Sequence, residues 1–210
     1  MPRRYDAVLF DLLTALLDSW TLWDDVAGGE QSGRRWRAEY LRRTYGTGAY
    51  RRYETVVAEA ATAVGLDWCL AGVLAARYSE LRPWPGAATA LAALAAAGIP
   101  LGVATNCSES LARIAAGRLG VTFAAMVTAE RAGFYKPDPQ PYRLALQELG
   151  VAPERCLFVA GSAYDLIGAA RVGMATWWHD RIGMEKPPAA PEPLRHTHSL
   201  AGLPEFVLGG

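Results

Sequence analysis

One carboxylate interrupts an otherwise apolar stretch near the start of the chain. Residues 7–17 read A-V-L-F-D-L-L-T-A-L-L, and Asp11 is the charged residue among them. An ionised carboxylate is costly to bury without partners. Asp11 therefore either meets cations and N–H groups at the open end of a buried strand, or it performs chemistry. A turn or capping aspartate at a strand end is the alternative interpretation.

Further polar residues follow other apolar stretches and could act together with Asp11. Thr105 and Asn106 end one such stretch, and Lys136 lies within F-Y-K-P-D-P-Q-P-Y. A lysine ammonium beside Asp11 would keep the carboxylate charged, whereas a surface position is the usual alternative for lysine. Thr105 and Asn106 offer a hydroxyl, an amide and backbone N–H groups to an anion, and they could also cap the helix that follows.

The pattern of apolar stretches predicts the elements that would position these residues. Helical patterns, most of them closed by glycine, alternate with short apolar runs from residue 83 onwards, which predicts parallel βαβ units. Strands are predicted at residues 5–10, 100–105, 124–128, 156–160 and 175–178. Helices are predicted between them at 87–97, 109–119, 141–149 and 163–172. The predicted fold class is α/β, a doubly wound, parallel, five-stranded Rossmann-like core, whose strand ends share one edge.

The stretch between the first two predicted strands differs in character. It carries helical patterns at residues 34–44, 49–64 and 71–81 without a clear strand, and P-W-P-G at 83–86 then stops helix formation. We therefore predict a helical cap at 16–82, inserted after the first strand, and a core made of 1–15 and 83–210. The proline-rich tail at 186–210 is expected to wrap the surface.

Composition narrows the classes of function. Apolar residues make up 51% of the 210 residues, and 21 basic residues balance 21 acidic ones, so the charge expected of a general nucleic-acid binder is missing. Arginines interleaved with aromatic residues at 34–52 could still form such a face, but a solvated helix face is favoured. Cys69, Cys107 and Cys156 lack a C-x-x-C spacing, which argues against disulfide or zinc scaffolds and favours a cytoplasmic location. No membrane span or clean signal peptide is evident.

The order of these residues resembles the haloacid dehalogenase superfamily. The shared features are a strand-ending aspartate before an insertion, Thr-Asn after the second strand, Lys followed by P-D-P, and a late acid at Asp165. Most members are magnesium phosphatases that carry a second aspartate two residues after the nucleophile and a motif G-D-x-x-x-D. Here those acids are replaced by Leu13 and Gly161. Magnesium prefers several oxygen ligands, so the metal site is depleted.

In lacking these two acids, the chain resembles the 2-haloacid dehalogenase branch, which works without metal. Its last motif, S-S-N-A-W-D, is similar to A-G-S-A-Y-D at 160–165, and its W-x-N-R is close to W-H-D-R at 178–181. The cap arginine of that branch, in a W-R pair, corresponds to Arg37, with Arg34 and Arg35 as alternatives. The chain departs from the branch in having Thr14-Ala15 in place of Gly-Thr, so a hydroxyl is missing at residue 15.

The resemblance implies a role for each candidate residue and a partner. The catalytic set would be Asp11 as nucleophile, Lys136 as its stabilising cation, and Asp165 with Ser162 to position water. The substrate-binding set would be Arg37 for halide, Thr105 and Asn106 for the substrate carboxylate, and Leu13, Tyr142 and Trp178 as apolar walls. The partner would be a small-molecule carboxylate, with no cofactor, no nucleic acid and no membrane. A homodimer is compatible with a small cap.

Two other functions stay open at this point. One is a small-molecule phosphatase that uses Asp11 and a weak Mg²⁺ site, although Leu13 argues against it. The other is a ligand-binding relative without turnover, which the altered positions Thr14, Ala15, Ala160 and Gly161 motivate.

Overall fold

Six parallel strands form one sheet in the computed structural model, which describes residues 3–209. Their order across the sheet is β3-β2-β1-β4-β5-β6, and each neighbouring pair is parallel. The strands are β1 (Ala7–Phe10), β2 (Leu101–Thr105), β3 (Ala125–Thr128), β4 (Cys156–Ala160), β5 (Ala175–His179) and β6 (Arg195–Thr197). The predicted doubly wound α/β fold is confirmed, and the predicted number of five strands is wrong by one.

The helices fall into the insertion after β1 and the connections of the sheet. Those that precede the return to the sheet are α1 (Ser19–Val26), α2 (Glu30–Thr47), α3 (Tyr53–Ala63) and α4 (Leu70–Ala76), with a 3₁₀ turn at Tyr78–Glu80. The others are α5 (Ala87–Ala96), α6 (Glu109–Ala116), α7 (Ala129–Ala132), α8 (Pro139–Leu149), α9 (Asp165–Arg171) and α10 (Leu203–Leu208), with a 3₁₀ turn at Pro153–Arg155. Within residues 3–209, no helix is long and apolar enough to cross a membrane.

Helices cover both faces of the sheet. Successive residues of a strand point to opposite faces, so alternate residues of β1 contact different sets of helices. On β1, Val8 and Phe10 pack in a core cluster with residues of α5, α6 and α10, whereas Ala7 and Leu9 pack in a second cluster with residues of α8 and α9. All four residues are buried. Burial on both faces explains why β1 is a continuous apolar run.

The chain leaves and rejoins the sheet at one narrow place. Leu17 and Pro83 form an antiparallel bridge, and the N–H of Asp18 donates to the carbonyl of Arg82. The helical insertion therefore begins and ends side by side, near the predicted limits of 16–82. The division into cap and core at those residues stays a prediction.

Among the parts of the chain that differ from the predicted elements are α1, the short helix α7 and the tail. Helix α1 was missed because it has only eight residues, two of them tryptophans. A signal for its start was present in Asp18, whose side chain accepts a hydrogen bond from Thr21 N–H. The tail does not simply wrap the surface, since it contains β6 and α10. Strand β6 has two exposed residues and one half-buried residue, and its extended form depends on pairing with β5 and not on a local apolar pattern.

The register of the central strands brings their carboxyl ends to one level. Phe10 pairs with Val103 on β2 and with Val159 on β4. The residues just beyond these strand ends therefore meet above β1, which lies where the strand order reverses. Such a switch point is where open α/β sheets bind ligands.

Candidate active site

Asp11 follows the last residue of β1, and its two carboxylate oxygens have different partners. Oδ2 accepts hydrogen bonds from the N–H of Thr14 at 2.7 Å, the hydroxyl of Thr14 at 2.6 Å and the N–H of Ala15 at 3.1 Å. Oδ1 accepts from Lys136 Nζ at 2.8 Å. The hydroxyl that the family pattern carries at residue 15 is thus supplied by Thr14 from one position earlier. One oxygen is held by the backbone, and the other faces a cation.

Lys136 lies between two carboxylates at the base of the site. Its Nζ is 2.8 Å from Asp11 Oδ1 and 3.0 Å from Asp165 Oδ1. All three side chains are buried. Tyr142 donates its hydroxyl hydrogen to the same Oδ1 of Asp165 at 2.8 Å. These four groups form one buried polar network in which each charge has a partner, as burial demands.

Burial and neighbouring charges set the ionisation of this network. Burial alone would raise the pKa of Asp11, but Lys136 and the Thr14 hydrogen bonds hold it below its usual value. Burial, together with the charge of Asp11, raises the pKa of Asp165 to about 6 despite Lys136 and Tyr142. Burial would lower the pKa of Lys136, yet the two carboxylates raise it overall. At neutral pH the site therefore holds an ionised Asp11, a charged Lys136 and an Asp165 that gains its proton on mild acidification.

A cavity of about 50 Å³ opens above these groups, between the sheet edge and helix α2. Among its walls are Arg37, Thr105, Asn106, Ser162 and Leu13, all of which were predicted site residues. A cavity needs about 10–15 Å³ to hold one water, so this space exceeds the requirement of a single water. The cavity suits a small molecule of a few non-hydrogen atoms.

Arg37 is a buried cation with free donors beside this cavity. Its guanidinium lies 4.4 Å above the ring of Trp20 and 5.1 Å from that of Trp23. Its Nε and Nη1 are buried, and within residues 3–209 they have no hydrogen-bond partner. The two alternatives are occupied elsewhere, since Arg34 pairs with acidic side chains and Arg35 donates to a backbone carbonyl. Arg37 is thus the arginine that could receive an anion here.

Asn106 makes a reciprocal pair of hydrogen bonds with the backbone of Lys136. Its Nδ2 donates to the Lys136 carbonyl at 3.1 Å, and its Oδ1 accepts from the Lys136 N–H at 2.7 Å. The side chain therefore holds the lysine in place, which sequence reasoning did not predict. One N–H of the amide remains for a ligand, because Nδ2 carries two hydrogens.

Two predicted wall residues do not line the cavity. Tyr142 lies beneath it and contacts Asp165 as described. Trp178 stacks on His196 with ring centroids 4.1 Å apart. The alternation of β5 explains the position of Trp178, because its side chain packs in the core cluster of α8 and α9. Their assignment as walls of the pocket is therefore corrected.

Other wall residues were missed by sequence reasoning. Tyr164 follows Ser162 and lies against the ring of Tyr45, with centroids 4.8 Å apart. The remaining ones lie on one face of α2 with Arg37, at Tyr40, Leu41, Thr44 and Tyr45. A signal was present, because positions 37, 40, 41, 44 and 45 have the spacing of a single helix face.

The donors around the cavity do not fit magnesium. Asp11 and Asp165 both face Lys136 Nζ, so an ammonium already lies between the two carboxylates. Gly161, where the phosphatase motif has an acid, approaches the loop after β1 so closely that a Cβ would lie 2.2 Å from Ala15 N and from the Thr14 carbonyl carbon. Within residues 3–209, no group of three or more His, Cys, Asp or Glu side chains is arranged to hold a metal ion.

Replacing Gly161 by alanine is expected to displace the loop that holds Asp11. The added methyl group would overlap backbone atoms, which cannot rotate away as a side chain could. We expect a loss of about 1–3 kcal/mol in the free energy of unfolding, as for overpacked cores, measured by urea denaturation. Gly46→Ala is the matched control, because a Cβ there meets nothing within 4 Å. Equal stability of the two variants would contradict the close approach.

Fold and site together define a class: Rossmann-like α/β proteins with an ion-paired aspartate at the end of the first strand and a helical insertion above it. A family model described as haloacid dehalogenase-like hydrolase matches residues 5–173. The chain belongs to this family of hydrolases, and the resemblance inferred from its motifs is confirmed.

Individual relatives agree with this assignment. The chain is 26% identical to (S)-2-haloacid dehalogenase H-109 of Pseudomonas putida, with 97% of this chain and 98% of that protein covered. It is 30% identical to the (S)-2-haloacid dehalogenase of Pseudomonas fluorescens, over 73% and 72% of the two chains. The solved structure of L-2-haloacid dehalogenase from Xanthobacter autotrophicus with chloropropionic acid covalently bound superposes with a TM-score of 0.85 at 25% identity, covering 98% of this chain and 99% of that one.

Proposed function

We propose that this protein hydrolyses the carbon–halogen bond of a small (S)-2-haloacid through an ester of Asp11, without a metal cofactor. The observation that carries the proposal is the unequal environment of the two Asp11 oxygens. Dehalogenase relatives and a covalent complex of one of them support the substrate class.

In the first step, Oδ1 of Asp11 is the attacking oxygen. Among the described residues it accepts one hydrogen bond, from Lys136, whereas Oδ2 accepts three. Oδ1 therefore keeps lone pairs free for attack on the carbon that bears the halogen. The C–O bond forms as the C–X bond breaks, halide leaves with the bonding pair, and the carbon inverts. A carboxylate in a buried, poorly hydrated site is suited to this displacement.

In the second step, water attacks the carboxyl carbon of the Asp11 ester. The negative charge then develops on Oδ2, which already faces the N–H groups of Thr14 and Ala15 and the Thr14 hydroxyl. Donors arranged in advance around a developing oxyanion are a large source of rate enhancement. Asp165 takes the proton of the water, with Ser162 nearby in the cavity wall. The bond between the Asp11 carboxyl carbon and Oδ1 then breaks, and Asp165 returns its proton to the departing oxygen of the 2-hydroxyacid. The second proton of the water is released as the Asp11 carboxylate re-forms.

The remaining polar groups suit the two charges of the substrate. The unpartnered N–H groups of Arg37 would receive the leaving halide. Thr105 and the free N–H of Asn106 would hold the substrate carboxylate. Leu13 supplies an apolar wall. The cavity volume favours two- and three-carbon acids over longer ones.

The proposal is tested by halide release from (S)-2-chloropropionate and from chloroacetate in excess EDTA. We expect release of one halide per 2-hydroxyacid formed, undiminished by the chelator. Hydrolysis of p-nitrophenyl phosphate with added Mg²⁺ is measured in parallel. Phosphate release without halide release would overturn the proposal in favour of the phosphatase, and absence of both, with no covalent adduct from any electrophile, would favour a non-catalytic relative.

The pH dependence of ester hydrolysis should follow the ionisation of Asp165. Its pKa is raised to about 6, with burial as the main cause. Only the ionised form can accept a proton from water, so the rate should fall about tenfold per pH unit on the acidic side. Because the ester removes the Asp11 charge that helps to raise this pKa, the fall should begin below about pH 6. Pre-steady-state decay of the covalent ester between pH 5 and 8 measures this. Asp165→Asn should remove the acidic limb, and an unchanged limb in that variant would assign it to another group.

Cellular location and assembly are also proposals. The three cysteines are free thiols, which supports a reducing, cytoplasmic location.

Exposed apolar side chains on the helical insertion, Trp68 and Val73, support a homodimer. Light scattering on the wild type and on Trp68→Ser would test the assembly.

A further inference from the structure

Four successive carbonyl groups of the loop after Asp11 are held by residues outside the loop. The loop comprises residues 12–17, and we call it the nucleophile loop. Four successive carbonyls accept hydrogen bonds from other elements: Leu13 from Ser19 Oγ, Thr14 from Trp84 Nε1 at 2.9 Å, Ala15 from His179 Nδ1 at 2.7 Å, and Leu16 from Trp84 N at 2.9 Å. Trp84 is therefore a two-point clamp on this loop.

The Trp84 side chain acts on one particular peptide unit. The C=O of Thr14, which accepts the indole N–H, and the N–H of Ala15, which donates to Asp11 Oδ2, belong to the same peptide. A peptide unit is planar, so fixing the direction of its oxygen fixes the direction of its hydrogen. The indole thus aims the Ala15 N–H at Oδ2 without touching Asp11.

The same peptide unit is confined on its other side. Gly161 lies so close that a Cβ there would be 2.4 Å or less from the Thr14 hydroxyl and the Thr14 carbonyl carbon. Trp84 is itself fixed by the bridge at the neighbouring Pro83 and by the Arg181 guanidinium, 5.0 Å from its ring. The peptide therefore has one clamped orientation.

We propose that Trp84 is a positioning residue for hydrolysis of the aspartyl ester, because its indole N–H holds the Thr14–Ala15 peptide so that the Ala15 N–H meets the developing oxyanion. The inference rests on the proposed function and adds a residue to it. The two steps should respond differently to loss of this hydrogen bond. Displacement of halide does not place new charge on Oδ2, whereas attack by water does.

Trp84→Phe removes the indole N–H and keeps an apolar ring. We expect kcat for halide release to fall between about 10- and 100-fold, as for small misplacements of a catalytic group. The ratio kcat/KM, which reports the steps up to loss of halide, should stay within about twofold, so KM falls with kcat. The Asp11 ester should accumulate during turnover and be visible as added mass on the intact protein.

Trp177→Phe is the matched control. Its indole N–H also makes a side-chain hydrogen bond, at 2.9 Å, but the acceptor is Thr197 Oγ1 of β6 and not a carbonyl of the nucleophile loop. This variant should keep wild-type kcat, KM and ester level. If Trp84→Phe behaves like the control, or if kcat and kcat/KM fall together without ester accumulation, the proposal is wrong.

Hydrogen–deuterium exchange at the Ala15 amide separates this inference from the proposed function. Trp84→Phe should speed exchange there at least about tenfold, because the clamped peptide is freed, while Trp177→Phe should not. If wild type releases no halide but Ala15 exchange still accelerates in Trp84→Phe, the clamp holds and the proposed reaction fails. Unchanged Ala15 exchange in an active enzyme overturns the clamp alone.

Discussion

Asp11→Asn is expected to abolish halide release, with a fall on the order of 10⁴-fold or more, as when a nucleophile is removed. An amide oxygen is a poor nucleophile, and the substitution also removes the negative charge that pairs with Lys136. Folding should be retained, because the asparagine oxygen can still accept from Thr14 and Ala15 and because Lys136 keeps Asp165 as its charged partner. Ion chromatography of released halide measures the effect.

Two further measurements make this prediction specific to the ester mechanism. With enzyme in excess and a single turnover in H₂¹⁸O, the label should appear in the Asp11 carboxylate and not in the 2-hydroxyacid, because water attacks the carboxyl carbon. Asp6→Asn is the matched control, since Asp6 is exposed just before β1 and pairs with Arg155. Label in the first-turnover product would mean that water attacks the substrate directly.

Lys136→Met should be the second most damaging substitution. It leaves Asp11 and Asp165 buried without their shared cation, and breaking a buried ion pair from one side costs about 3–5 kcal/mol of folding free energy. The pKa of each carboxyl group should rise, so a proton replaces the lysine and Asp11 is no longer fully ionised at neutral pH. We expect ester formation to slow by at least about 100-fold.

Urea denaturation and rapid-quench measurement of ester formation test this expectation together. The chain has one other lysine, Lys186, which pairs with the exposed Glu192. Lys186→Met should change unfolding free energy by less than about 0.5 kcal/mol and leave the rate unchanged. In Lys136→Met, Asp11 is partly protonated at neutral pH. Raising the pH should ionise it and so partly restore ester formation. Failure to restore it would assign Lys136 a role other than electrostatic support.

The predicted site residues show what the pattern of strands can and cannot predict. Asp11, Lys136 and Asp165 were expected to converge because each lies after a predicted strand of a parallel sheet. In the structure, Lys136 Nζ lies 2.8 Å from Asp11 Oδ1 and 3.0 Å from Asp165 Oδ1. Thr14 was a departure from the family motif, and its hydroxyl proved to reach Asp11 from a different position. That contact depends on the turn of the loop, which apolar periodicity does not encode.

The sequence by itself determined the α/β class, the helical insertion and the family, because these follow from periodic apolar runs and from the order of a few polar residues. The tertiary structure alone decided which side chains touch. The Asn106 clamp on Lys136, the position of Tyr142 beneath Asp165 and the hold of Trp84 on Thr14 join residues 23 to 70 positions apart in sequence. The pairing of β6 with β5 is of the same kind. Such contacts depend on strand register and helix packing across the whole chain, whereas local sequence patterns report only which face of an element is buried.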